Sequence, residues 1–194
     1  MVYRVYVEKK PGQTQEAQGL LGQIRDFLQI KGLKALRILN RYDAENIDEQ
    51  LFRYAVNTVF SEPQVDNVSF QAPQGQIVFA VEPLPGQYDQ RADSAEQCLT
   101  LLREGMKSAT KVGTEPPAVR CAKIVFLEGS VCADDVLKIQ KYLINPVDSR
   151  LADSSKPATL RMSSIVPADI AVVSGFISKS ESQLDSYRKE LGLA

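Results

Sequence analysis

The chain of 194 residues is 44% hydrophobic and 24% charged, ordinary proportions for a globular protein of one or two domains. Its 23 basic and 24 acidic side chains leave a net charge of −1, so no broad electrostatic attraction draws it to nucleic acid or to an anionic membrane. It contains no histidine, which excludes a histidine general base, a Ser–His or Cys–His pair and a His-ligated metal within this chain.

Tyr3-Arg4-Val5-Tyr6-Val7 is rich in β-formers and alternates like a strand, without the apolar block of a signal peptide. No apolar run approaches the ~20 residues of a membrane span, and the cytoplasm is the expected compartment. Pro11-Gly12 breaks the strand. Ala17, Leu20, Leu21, Ile24, Phe27 and Leu28 then recur three or four apart, the spacing of an amphipathic helix that Gly32 ends. Leu36 to Tyr42 reads as a second strand. Asp48 is placed to cap a helix carrying Leu51, Phe52, Ala55, Val56 and Val59, Glu62-Pro63 stops it, and Val65 to Phe70 gives a short β segment.

The same route is then retraced. Val81-Glu82-Pro83-Leu84-Pro85-Gly86-Gln87 repeats the V-E-x-x-P-G-Q of Val7 to Gln13, with Pro11 and Pro85 74 residues apart. That spacing is too long for a solenoid repeat and suits a small α+β module. Ile77 to Val81 is a continuous apolar strand, and Ser94 is positioned to cap a helix bearing Ala95, Cys98, Leu99, Leu101 and Leu102. A surface loop is expected from Gly105 to Pro117, a strand from Cys121 to Leu127, and a helix opened by Asp134 and Asp135 with Val136, Leu137, Ile139, Gln140 and Leu143. Its ending, Asn145-Pro146-Val147-Asp148, echoes Glu62-Pro63-Gln64-Val65-Asp66. Cys98, Cys121 and Cys132 form no C-x-x-C pair and no zinc or disulfide framework; they are expected to be small buried hydrophobes in a reduced compartment.

These landmarks predict an α+β fold: two tandem ferredoxin-like modules, residues 1–72 and 73–152, forming a pseudo-dimer, with the second copy covering the bare sheet face of the first. After about Ser149 the composition changes. Asp153-Ser154-Ser155-Lys156-Pro157 reads as a linker, and 153–194 as the start of a further domain. Ile170 to Val173 is apolar, and Ser178 to Glu181 has the S-x-x-E spacing of a capping box before a helix with Leu184, Tyr187 and Leu191, stopped by Gly192. The apolar face of that helix lacks an obvious partner, so the chain is expected to be a fragment or one subunit of something larger, able to self-associate in isolation.

Three places carry candidate chemistry. Pro85 to Cys98 concentrates Gln, Asp, Arg and Ser at a strand-to-helix junction, where backbone N–H groups and side chains face a ligand or partner; the alternative is a solvated loop with a helix cap. With one glycine it makes a poor phosphate cradle. Tyr42-Asp43-Ala44-Glu45-Asn46, with Asp48 and Glu49, clusters carboxylates suited to Mg²⁺ or acid–base work, or to complementing a helix N-terminus. Lys9, Lys10, Lys31 and Lys34 can meet a phosphorylated ligand or remain solvated.

Phe79 to Cys98, taken with Val7 to Gly12, Leu36 to Asp43, Val59 to Pro63 and Tyr142 to Arg150, resembles the N-terminal region of the large single-chain phosphoribosylformylglycinamidine synthases, and Pro167 to Phe176 resembles the start of their linker domain. The resemblance spans nearly the whole chain. It implies a fused dimer of an S-subunit-like module, in an enzyme that converts formylglycinamide ribonucleotide, glutamine and ATP to formylglycinamidine ribonucleotide, glutamate, ADP and phosphate. It implies ATP and Mg²⁺ in a synthetase domain and a cysteine nucleophile in a glutaminase domain, neither within this sequence, so no catalytic, cofactor or metal residue is assigned here. What it implies for this chain is docking to those two domains, with Gln87, Tyr88, Asp89, Gln90, Arg91, Asp93 and Ser94 facing the synthetase domain. The alternative is a free-standing regulatory or scaffold module that binds a small metabolite.

Overall fold

The computed structural model describes residues 1–72, 74–105, 115–161, 175–190 and 192. The chain divides into two compact units, residues 1–162 and 163–194. The first runs β1 (Tyr3–Lys9), α1 (Gln15–Asp26), β2 (Leu33–Glu45), α2 (Glu49–Ala55), β3 (Asp66–Ser69), β4 (Ile77–Pro83), α3 (Gln90–Gly105), β5 (Ala118–Gly129), α4 (Ala133–Leu143) and β6 (Ser149–Leu151). It is α+β, with one six-stranded antiparallel sheet in the order β3-β1-β2-β5-β4-β6. α2 begins where the Asp48 carboxylate accepts the Leu51 N–H at 2.7 Å, and it continues as a π-helical turn over Val56–Phe60.

The sheet is centred on its two longest strands, β2 and β5, paired from Leu33 opposite Gly129 to Glu45 opposite Ala118. β2 is longer than the Leu36–Tyr42 stretch expected, because Asp43 and Glu45 continue the alternation with their side chains on one face and Tyr42 and Ala44 on the other. The helices pack on one face only. There α2, the π-helical turn and α3 cover Val5, Val7, Tyr42, Ala44, Val119 and Cys121, while α1 and α4 cover Leu36, Phe79, Val125 and Leu127. Each of the two cores therefore draws one helix from before residue 73 and one from after it.

The second half does not lie over the bare sheet face of the first, as expected; both halves share one sheet. Edge-to-edge pairing of β2 with β5 satisfies two long rows of backbone groups that two separate sheets would leave open. The helix-free face is covered by the chain's own connections. Gly75 rests on the ring of Phe126, where a Cβ would fall 2.5 Å from Cδ1. Residues 153–160, of which 153–157 are expected as a linker, are fastened across the same face by buried and half-buried charged side chains. Arg4 donates to the Ser154 and Ser155 carbonyls at 2.8 and 3.0 Å, Arg41 to Asp153 at 2.6 Å and Arg120 to Leu160 at 2.6 Å. The Glu45 carboxylate accepts the Leu160 N–H at 2.7 Å and the Thr159 hydroxyl at 2.9 Å.

Burial alone pushes the Glu45 carboxyl up, but the Leu160 and Thr159 hydrogen bonds outweigh it and hold the group below its ordinary value. A depressed folded-state value makes the contribution full above the unfolded glutamate value, about 4.3, and lost as pH falls through the folded one. Acid titration of thermal stability is thus expected to show a component below about pH 4.3 that Glu45→Gln removes, at a neutral-pH cost of roughly 1.5–3 kcal/mol, the worth of hydrogen bonds to a charged group.

A regular correspondence links the halves. Val7 pairs with Asn40 and Val81 with Lys123, and Asn40 and Lys123 pair with each other at the centre of the sheet. Reading the sheet from either edge gives the same order once β1 is matched with β4, β2 with β5 and β3 with β6. The Lys10 N–H donates to the Val65 carbonyl and the Leu84 N–H to that of Asp148, both at 2.8 Å; the turn bonds Gln13 to Lys10 and Gln87 to Leu84 are both 2.9 Å. Gly12 and Gly86 take φ values of +89° and +87°, a region open to glycine and strained for other residues.

In the second unit, Gly175 leads into a 3₁₀ turn over Phe176–Ser178, followed by α5 (Glu181–Glu190). The cap bond falls two residues later than expected: the Ser180 N–H donates to the Gln183 side chain at 2.9 Å. Gly192 follows α5 with a positive φ. Most of the expected 105–117 loop, the apolar Ile170–Val173, most of the Pro167–Phe176 segment and Leu191 lie outside the described residues.

Candidate functional site

β4 runs out at Pro83, and the turn closed by the Gln87 N–H delivers the chain to α3. α3 starts at Gln90, four residues before the expected cap. Asp89 is the cap, its Oδ1 accepting the N–H groups of Arg91 and Ala92 at 3.0 and 3.1 Å. Ser94 therefore sits inside the helix, since the short Asp89 carboxylate reaches the first free N–H groups before it. Tyr88 is 74% exposed and donates its hydroxyl to Asp93 Oδ2 at 3.1 Å, which also accepts from Gln97 at 2.8 Å. Gln87 reaches the Val147 carbonyl at 3.3 Å. Arg91 Nη1 donates to the hydroxyl of buried Tyr42 at 3.0 Å; burial pushes that phenol up, with Arg91 opposing. The segment singled out from sequence is thus assembled by one turn and one helix start, with Gln90 exposed beside them.

Three clefts meet there, all bordered by Pro83 and Tyr88. The first, about 500 Å³, opens where β4 parts from β5. Their register ends at Val81 opposite Lys123, and Glu82 and Pro83 pair with β6 instead. On the vacated side the Val119 N–H donates to the Glu96 carboxylate at 2.7 Å, and burial pushes that carboxyl up against the pull of the N–H. The second, about 700 Å³, has Leu20, Ile38, Val125 and Leu143 in its walls and the Glu16–Lys123 ion pair beside them. The third, about 520 Å³, lies beside Tyr42, Val59, Arg91 and Ser94. The second and third use the same helix positions: Gln15, Glu16, Gly19, Leu20 and Gln23 of α1 and Gln90, Arg91, Ser94, Ala95 and Cys98 of α3.

The remaining candidates are dispersed or spent. Asp43 holds Arg4 in a two-point pair at 2.5 and 2.8 Å, with Arg41 at 3.4 Å, and Glu82 links Arg41 to Arg150. Asp48 caps α2 and Glu49 pairs with Arg53 at 2.7 Å, so the carboxylates from Asp43 to Glu49 form no acid–base pair. Lys9 pairs with Asp66 at 2.9 Å and Lys10 donates to the Pro63 carbonyl at 2.6 Å, while Lys31 and Lys34 are exposed. Of the cysteines only Cys121 is buried as expected, its thiol pushed up by desolvation; Cys98 and Cys132 are exposed, and Cys132, at the start of α4, donates its thiol and its N–H to the Asp135 carboxylate at 3.1 and 3.2 Å. Among the described residues no group of three or more Cys, Asp or Glu is placed to hold a metal ion, and no helix is long and apolar enough to cross a membrane.

The inward charges Arg4, Arg41, Glu82 and Arg120 were not singled out from sequence. For Arg41 the signal is the odd-numbered run Arg37, Arg41, Asp43, Glu45, broken at Leu39, while the even positions from Leu36 to Ala44 are apolar except Asn40. Compared with models of known protein families and with functionally characterised proteins, the chain finds no match.

Proposed function

We propose that this chain is the non-catalytic N-terminal docking region of a glutamine-dependent phosphoribosylformylglycinamidine synthase, made of two fused ferredoxin-like, S-subunit-like modules and followed by the start of a linker domain. In this reading it forms a rigid shoulder between the synthetase and glutaminase domains, which carry the ATP, Mg²⁺ and nucleophile chemistry. The observation that carries it is the repeated register about the Asn40–Lys123 pair, which joins two β-α-β-α-β runs as a symmetric dimer joins its subunits. The quoted segments that resemble the family support it. So does the position of Gln87 to Ser94, exposed at the meeting of three clefts rather than buried in a connector. The free-standing metabolite-binding module is the second reading, favoured by the cleft beside Arg91.

The test is substitution in the full-length ligase. Arg91→Ala with Asp93→Ala is expected to lower glutamine-dependent formation of the amidine product by about tenfold or more, the loss of a small interface hot spot, while this region stays folded at the assay temperature by circular dichroism. Unaltered turnover would remove the docking assignment of this segment.

A further inference from the structure

The clefts over α1 and α3 share their helix positions but carry opposite charge at one of them. Glu16 and Arg91 are each the second residue of their helix. Glu16 is neutralised by Lys123, which stands in the middle of β5. Arg91 has no carboxylate within ion-pairing distance among the described residues, and its hydrogen bond there is the one from Nη1 to Tyr42. The nearest acidic residues in sequence are occupied: Asp89 holds the first N–H groups of α3, and Asp93 accepts from Tyr88 and Gln97.

A guanidinium presents five N–H donors in a planar fork, so Arg91 retains an edge with which to grip a planar acceptor. It is also held in place. Tyr42 is 4% exposed and packs against Phe60 with ring centroids 5.0 Å apart, so the hydroxyl that receives Nη1 is fixed by the core. Val59 and the exposed ring of Tyr88 add apolar surface to the same cleft. Asp89 also lines it, and its charge disfavours a phosphate dianion more than a monoanion.

We propose that the cleft beside Arg91 is a binding site for a carboxylate, gripped by the free edge of the guanidinium, with the remainder of the ligand against Tyr88 and Val59. The cleft over α1 is the counterpart in which Glu16 and Lys123 have closed the charge on itself. This goes beyond the ligase reading and does not rest on it, because the test is made on this chain alone.

The experiment follows the Arg91 Nε–H resonance of ¹⁵N-labelled protein during titration with succinate, L-glutamate or inorganic phosphate at matched ionic strength. Saturable shifts are expected with the carboxylates, retained in Glu16→Gln and weakened in Tyr42→Phe; in Arg91→Lys, which keeps the charge but loses the fork and its Nε–H, affinity read on the Ala92 and Ser94 amides is expected to fall by about tenfold. Followed on the neighbouring Ala92 and Ser94 amides, the response is expected to vanish in Arg91→Gln. Arg91→Gln removes the donor to the buried Tyr42 hydroxyl, so its melting temperature is expected to fall by about 2–6 °C; the titration is run well below it, where loss of binding cannot come from unfolding. Saturation by free carboxylates identifies a small molecule as the source. Saturation only by a short peptide carrying one glutamate identifies a protein side chain. Saturation by neither, an equal response to phosphate, or binding that survives Arg91→Gln overturns the proposal.

Discussion

Residues 1–72 and 73–152, produced separately, are expected to be unfolded as monomers. The first piece loses Ala92, Ala95, Leu99, Val119 and Cys121 from one core, and Phe79, Val125, Leu127 and Ile139 from the other. It also exposes the whole β5-facing edge of β2. Burying one large aliphatic or aromatic side chain is worth about 1.5–3 kcal/mol, so the missing partners exceed the ~5–15 kcal/mol by which a domain is stable. Circular dichroism and sedimentation of each piece check this. Ordering at high concentration only as a dimer, or on mixing the two pieces, agrees with the account; a folded monomeric half refutes it.

Asp43→Ala is expected to be the most damaging single substitution, destabilising the protein by about 3–5 kcal/mol, the cost of breaking a buried pair from one side. Asp43 is 2% exposed and is the counter-charge shared by Arg4 and Arg41, which also donate to the 153–155 carbonyls, with Arg41 Nη2 3.6 Å from Glu82. Without it Arg4 loses its carboxylate partner and Arg41 keeps only Glu82, at 3.6 Å. Urea unfolding of Asp43→Ala measures the loss. Arg4→Met with Asp43→Leu, which removes one cation along with the anion, is expected to recover part of it. A cost below about 1 kcal/mol for Asp43→Ala would put the pair in the weak class of surface ion pairs.

Strand and helix identities were legible where one period ruled. The repeated V-E-x-x-P-G-Q placed β1 and β4, with their two turns, because a Pro-Gly turn after an apolar strand is a local decision. How the halves meet was not legible. Covering a bare face and joining two edges place the same apolar residues inside, and only the length of β2 and β5 decides between them. Charged residues were the main source of misplacement. Asp43 and Glu45 read as a helix-start cluster because an acidic pair before a helix usually is one; their partners, Arg4 for Asp43 and Thr159 and Leu160 for Glu45, are distant in sequence. At the start of α3 the cap was not legible, since Asp89 and Ser94 are both good capping residues and only the turn geometry selects the earlier one.

Docking is most directly measured by amide hydrogen exchange over Gln87 to Ser94, compared between this chain alone and the full-length ligase that the proposal requires. The account predicts slow exchange across that segment only when the synthetase and glutaminase domains are attached, with the β2–β5 amides equally protected in both. Equal, rapid exchange of the segment in both proteins would contradict it.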